Sequence, residues 1–222
     1  PELVAAHAAG IPVIYRKQAL ADLVNGSTLV AIAGTHGKTT TTVMTTEALA
    51  AGGLHPSGLA GGRVTAWHGN ARLDGDALFV VEADEYDQAF LTLAPTVAVV
   101  NNVEADHLEC YGSVAAMEDA FRRFAGRASR ALIGTADSCS DRVAAALGDR
   151  AWRFGTGAAD LAIRPGEMGP DGSTAAVTLP DRRVVELRLR VPGIHNLRNA
   201  TAALGVAAAL DADIDAALDA LA

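Results

Sequence analysis

A chain of 222 residues, half of them apolar, is long enough to bury one large core, or one core with a small annex. Its net charge of −8 leaves no basic field for nucleic acid as a partner, and its apolar runs are broken by Gly, Pro or charge well short of the roughly 20 residues that a membrane span needs. Cys110 and Cys139 lie apart with no paired spacing, and no basic-then-apolar leader stands at the N-terminus, so the expectation is a cytoplasmic protein without a disulfide.

Residues 1–27 hold the apolar run Ile11-Pro12-Val13-Ile14-Tyr15, read as a strand, and then a short amphipathic helix through Leu20, Leu23 and Val24 that Asn25-Gly26-Ser27 breaks. This stretch reads as the end of a preceding domain or a linker, and residues 28–222 as the main domain. Leu29-Val30-Ala31-Ile32-Ala33 is a buried strand, and it breaks directly into Gly34-Thr35-His36-Gly37-Lys38-Thr39-Thr40. Lys38 to Ala51 contains neither Gly nor Pro and reads as the following helix.

A strand, a glycine loop and a helix start make an anion site. The glycines let the backbone approach a phosphate, the N–H groups of the loop and the helix N-terminus point at it, Lys38 adds charge, and the Thr39 hydroxyl is placed for a metal ion. The spacing is shorter than in an ordinary P-loop and reads Gly-Thr-x-Gly-Lys-Thr. Thr39 to Thr42 are poor helix formers, so their hydroxyls are expected to bind phosphate, metal or backbone.

A glycine-rich region through Gly61, Gly62, Asn70 and Leu73 reads as a strand and a hairpin. Ala77 to Val81 is the next buried strand, and it empties into Glu82-Ala83-Asp84-Glu85-Tyr86-Asp87. Glu82, directly off the strand, pairs with Thr39 as a magnesium ligand, or else the cluster is a solvated acidic turn. Pro95 to Val100 is a third strand, ending in Asn101-Asn102-Val103-Glu104-Ala105-Asp106-His107. His107 is placed to ligate a second metal or to meet a transferred phosphoryl group, although a lone histidine also serves as a core or capping residue.

Met117, Ala120, Phe121 and Phe124 mark the apolar stripe of a helix, and Arg130 to Gly134 is a further strand, which establishes a βαβ rhythm. From Ala151 the text changes to short alternating runs at 152–154, 161–163, 175–179 and 184–189, read as a small antiparallel β annex. A helix follows, with His195, Asn196 and Asn199 in its first turn and Leu197, Ala200, Thr201, Leu204 and Ala208 on one face, and a last short helix starts near Asp213. Asn196 either caps the helix or, with Asn199, reads the donor and acceptor edge of adenine. The expected fold is α/β, a mostly parallel P-loop-type sheet flanked by helices, with ligands at the C-terminal ends of its strands.

Four ordered motifs then carry a resemblance: Gly34 to Thr40, Glu82-Ala83-Asp84-Glu85, Asn102 to His107, and Gly193-Ile194-His195-Asn196-Leu197-Arg198-Asn199-Ala200. Together they closely resemble the central ATPase domain of the Mur ligases, from about Leu29 to the last residue. The resemblance implies ATP and Mg2+ as cofactors, with Gly34, Thr35, Gly37, Lys38, Thr39 and Thr40 around the phosphates. It further implies Thr39 and Glu82 on one metal, His107 on a second, and Asn196 with Asn199 at the adenine, with His195 of the same motif among the cofactor-binding residues. On that resemblance Lys38, Glu82 and His107 are the expected catalytic set.

Most members carry a carbamylated lysine in the helix after the His107 motif, whereas Glu118 to Arg127 offers arginines and no lysine. That absence looks like the branch that adds L-alanine to UDP-N-acetylmuramate in peptidoglycan synthesis. ATP would phosphorylate the muramoyl carboxylate, and the amine would attack the resulting acyl phosphate. The alternatives are the muropeptide-recycling branch, which adds a tripeptide, and a non-catalytic P-loop module. The resemblance also implies flanking domains that hold the UDP-sugar and the amino acid, without which the 222 residues are expected to bind nucleotide weakly at best and to ligate poorly or not at all.

Overall fold

The computed structural model describes residues 1–222 except His107 and Ala136, and of Leu108 only the backbone. Helices α1 (Glu2–Ala8) and α2 (Arg16–Val24) precede a sheet whose strands are β1 (Thr28–Ala33), β2 (Ser57–Val64), β3 (Gly69–Arg72), β4 (Leu78–Glu82), β5 (Val97–Val100), β6 (Arg130–Gly134), β7 (Ala151–Gly155), β8 (Leu161–Gly169), β9 (Gly172–Thr178) and β10 (Val184–Leu189). Between and after them come α3 (Lys38–Ala51), α4 (Leu108–Tyr111), α5 (Val114–Ala125), α6 (Ser138–Leu147), α7 (Ile194–Ala209) and α8 (Ile214–Leu221).

Among the described residues, the ten strands form one sheet in the order β10-β9-β8-β7-β6-β5-β1-β4-β2-β3. Strand β1 lies between β4 and β5, parallel to both. Because α3 carries the chain from β1 to one side while β5 sits on the other, the order reverses at β1. A crevice at the C-terminal strand ends is the usual ligand site of such a switch point.

The continuous apolar strands are buried on both faces and sort their side chains by the period of two. Val30 and Ile32 join Val80, Val99, Leu132 and helices α3, α7 and α8 in one core. Leu29, Ala31 and Ala33 join Val81, Val100, Ile133 and helices α2, α5 and α6 in the other. In the second core Phe90 stacks on Phe124 and meets Phe121 edge-on, with centroids 4.9 and 5.1 Å away. Thus the turn after Glu82 is anchored in the core.

One expectation changes. Ile11 to Tyr15 is not a strand; it has no regular structure, Pro12 has no N–H for a ladder, and Ile11, Ile14 and Tyr15 are each more than half exposed, so the first ordered element is α1 instead. The expected antiparallel β annex is present as the edge formed by β8, β9 and β10, and it continues the parallel sheet, because β7 pairs parallel with β6 and β8 parallel with β7. Helix α6, between β6 and β7, supplies the crossover that a parallel pair requires. At the opposite edge the β2–β3 hairpin is tied to α3, where Glu47 accepts from Trp67 Nε1 and from Arg72 Nη1, each at 2.6 Å. Among the described residues no helix is long and apolar enough to cross a membrane.

Candidate functional site

The loop between β1 and α3 has the backbone its glycines foretell. Gly34 sits at φ 133° and Gly37 at φ 82°, both in the left-handed half of conformational space. A Cβ on Gly34 would stand 3.0 Å from the Asn101 backbone nitrogen, and one on Gly37 would stand 2.7 Å from Asn199 Oδ1 and 3.1 Å from Asn101 Nδ2. Gly37 is also the N-cap of α3 and offers no side chain to it. The first-turn N–H groups therefore face the loop as donors for an anion.

The end of β5 holds this loop from below. His36 N donates to Asn102 Oδ1 at 2.8 Å and Asn102 Nδ2 returns a bond to His36 O at 3.2 Å. Asn101, buried, donates through Nδ2 to His36 O at 3.2 Å and to Thr41 Oγ1 at 3.0 Å. Thr35 Oγ1 accepts from Glu104 N at 3.0 Å. The strand-end asparagines are thus scaffold; their place after a buried strand, and for Asn102 its motif with His107, signalled them in the sequence.

At the end of β4, Glu82 Oε2 accepts from Thr39 Oγ1 at 2.8 Å and from Gly61 N at 2.6 Å. Gly61 must be small, because a Cβ there would lie 2.6 Å from Glu82 Oε1. Thr39 and Glu82, chosen from separate motifs, are brought together. Of the other threonines, Thr40 is exposed, Thr41 receives Asn101, and Thr46 returns its hydroxyl to the Thr42 carbonyl at 2.8 Å.

Lys38 turns back over the loop. Its Nζ donates to Gly34 O at 2.8 Å, to Thr35 O at 3.4 Å and to Glu85 Oε1 at 2.8 Å. Glu85 is buried, its side chain 5% exposed against 16% for Lys38. Tyr111 in α4 donates its hydroxyl to the Glu85 carbonyl at 2.5 Å. Burial first, and then the Glu85 charge, raises the Tyr111 phenol well above its ordinary range. Glu85 was missed as a site residue; its sequence signals were membership of the acidic run after β4 and of the motif Glu82-Ala83-Asp84-Glu85.

Asp87 and Gln88, just beyond, adopt left-handed φ of 50° and 51° in the turn after Glu85. Lys17 of α2 pairs with Asp87 Oδ2 at 2.7 Å, and Asn25 donates to Thr92 O at 3.0 Å, which fastens α2 to this turn. A cleft of about 520 Å³ lies beside Glu82, lined by Tyr15, Lys17, Leu59, Asn70 and Tyr86 among others. A second cavity, of about 540 Å³, opens at the opposite edge near Trp152 and Arg183 and holds none of the described site residues.

Of the remaining expected residues, His107 lies outside the described residues. His195 folds its ring over Gly193, where a Cβ would meet Cε1 at 2.5 Å, and Asn196 Nδ2 donates to Pro192 O at 2.8 Å. Asn199 is buried behind Gly37 and so touches the loop itself. The start of α7 is therefore next to the glycine loop. His36, exposed in the loop, has Nε2 3.8 Å from Glu104 Oε2. Among the described residues no group of three or more His, Cys, Asp or Glu side chains could hold a metal.

A glycine loop at the switch point of a mostly parallel sheet, with a lysine, a hydroxyl and a strand-end carboxylate around it, defines an α/β domain of the P-loop type. Residues 32–207 match the Mur ligase middle domain. The chain belongs to that family. It is 44% identical over 232 residues to the UDP-N-acetylmuramate-L-alanine ligase of Kineococcus radiotolerans, covering all of this chain and 48% of that protein.

Among solved structures it is similar to the UDP-N-acetylmuramate-alanine ligase of Thermotoga maritima, at 29% identity and a TM-score of 0.87, covering 100% of this chain and 51% of that one. It is also similar to the UDP-N-acetylmuramate:L-alanyl-gamma-D-glutamyl-meso-diaminopimelate ligase of Neisseria meningitides, at 29% identity and a TM-score of 0.81, covering 99% and 73%. The chain spans about half the length of the curated relatives it matches.

Proposed function

We propose that this chain is the ATP-binding middle domain of a ligase that joins L-alanine to UDP-N-acetylmuramate, in the making of peptidoglycan precursors. The observation that carries the reading is the Thr39–Glu82 contact of 2.8 Å, beside a lysine and an uncapped helix start. Similarity to ligases of that name along the whole chain favours the L-alanine branch. In this reading residues 1–27 are the end of a domain that holds the UDP-sugar, and the amino acid enters through a part of the longer protein.

Thr39 and Glu82 fit magnesium, for they offer a hydroxyl and a carboxylate, the hard oxygens that ion prefers, and phosphate oxygens and water would complete its shell. When bound, the ion neutralises charge on the phosphates. His107 is assigned to a second ion. The loop N–H groups and the first turn of α3 bind phosphate oxygens, and Lys38 stabilises charge on the phosphoryl group as it moves. A carboxylate is a poor acyl donor until it carries a leaving group, so phosphorylation of the muramoyl carboxylate gives an acyl phosphate that an amine converts to an amide. His195, Asn196 and Asn199 are assigned to the adenine, with Asn199 also supporting the loop.

Phosphate release by the full-length protein tests the reading, with ATP, Mg2+, UDP-N-acetylmuramate and each of alanine, serine and glycine. Release that needs the nucleotide sugar and is fastest with alanine supports it. Release only with the tripeptide in place of alanine moves the protein to the recycling branch, and nucleotide binding without release would make it a binding module.

A further inference from the structure

An ammonium group has three N–H donors, and Lys38 has three acceptors, Gly34 O, Thr35 O and Glu85 Oε1, so every donor is committed. Two of those acceptors belong to the phosphate loop and move with it. The third is a side chain from the other side of the crevice. If Lys38 is to donate to a phosphate, the bond it can give up without dismantling the loop is the one to Glu85.

Glu85 is held for this task. Its carboxylate is buried, its backbone carbonyl is fixed by Tyr111, and Phe90 N closes the same turn on Asp84 O at 2.8 Å, with the Phe90 ring in the core. Among the described residues, Glu85 Oε2 is buried without a hydrogen-bond partner, so Lys38 is the cation on which this carboxylate depends. Asp84, one residue earlier, is exposed, and its side chain accepts from Tyr86 N at 3.0 Å.

We propose that Glu85 is a positioning residue for Lys38, a buried counter-charge that keeps the ammonium over the loop and competes with the nucleotide's phosphate for it. The competition lowers nucleotide affinity and leaves the lysine pre-oriented when the phosphate arrives. The inference rests on the nucleotide site proposed above, and deepens it.

The test is the dissociation constant of the full-length protein for an N-methylanthraniloyl derivative of a non-hydrolysable ATP analogue, with Mg2+, for the wild type and for E85Q, E85D and D84N. E85Q is expected to bind about tenfold tighter, the scale of one hydrogen bond to a charged group. E85D, which keeps the charge, is expected to stay near the wild type. D84N, which removes a neighbouring charge exposed to solvent, is expected to shift binding by less than about twofold.

Equal or weaker binding by E85Q overturns the proposal, as does equal tightening by D84N, which would mean a general field and no hold on Lys38. If E85Q does not fold, Y111F takes its place; loosening the Glu85 backbone is expected to tighten binding in the same direction, and an unchanged constant overturns the proposal. Absence of binding by the wild type would instead be a failure of the nucleotide site itself.

Discussion

Gly37→Ala is the sharpest perturbation of the phosphate loop. At φ 82° an L-residue is strained by about 1–2 kcal/mol. The new Cβ would also stand 2.7 Å from Asn199 Oδ1, well inside ordinary van der Waals contact. Neither neighbour yields easily, since Asn199 is buried and Asn101 is fixed by His36 O and Thr41. Together these place the cost at about 2–4 kcal/mol, and if the loop relaxes to escape it, nucleotide affinity falls about 30- to 700-fold.

The assay is fluorescent-nucleotide titration beside urea unfolding, with Gly62→Ala as the control. A Cβ on Gly62 meets Thr39 Cγ2 at a comfortable 3.8 Å, and this variant should behave as the wild type. If the strain stays in the fold instead, the unfolding midpoint falls while affinity holds. A Gly37→Ala protein that is unchanged in both refutes the geometry given for the loop.

Thr39→Val removes the hydroxyl on Glu82 and should raise the Mg2+ concentration for half-maximal phosphate release by about tenfold, read from a metal titration at saturating ATP. Lys38→Met leaves the buried Glu85 carboxylate without its cation, so urea unfolding should show a loss of about 3 kcal/mol, and adding Glu85→Gln should recover more than half of it. The raised Tyr111 phenol favours the protonated form in the fold. Its contribution is full below about pH 10 and is lost as pH rises above that value, so the alkaline fall in unfolding midpoint should be shallower in Tyr111→Phe.

The central strands were legible because both faces of β1, β4 and β5 are buried, which writes an unbroken apolar run such as Val97 to Val100. The phosphate loop was legible because its glycines are required by backbone geometry. Thr39 and Glu82 could be paired from sequence by the rule that strand ends share an edge, and they touch.

What was not legible depends on long-range contact. Ile11 to Tyr15 has the composition of a strand, and no strand among the described residues pairs with it. The parallel pairing of β7 with β6 is set by the α6 crossover, whereas its short run looks like any edge strand. Glu85 differs from Asp84 in burial, and that difference comes from Lys38, Tyr111 and the Phe90 anchor. Likewise Asn199 is one turn from His195 in sequence, yet its buried side chain packs under Gly37.

The central claim is that Lys38 and its neighbours direct ATP to activate a carboxylate. It is tested most directly by giving the full-length protein UDP-N-acetylmuramate labelled with 18O in the muramoyl carboxylate, with ATP, Mg2+ and L-alanine, and weighing the released phosphate by mass spectrometry. An acyl phosphate transfers one carboxylate oxygen, so each turnover should put one 18O into phosphate. Unlabelled phosphate released alongside amide product would contradict the account.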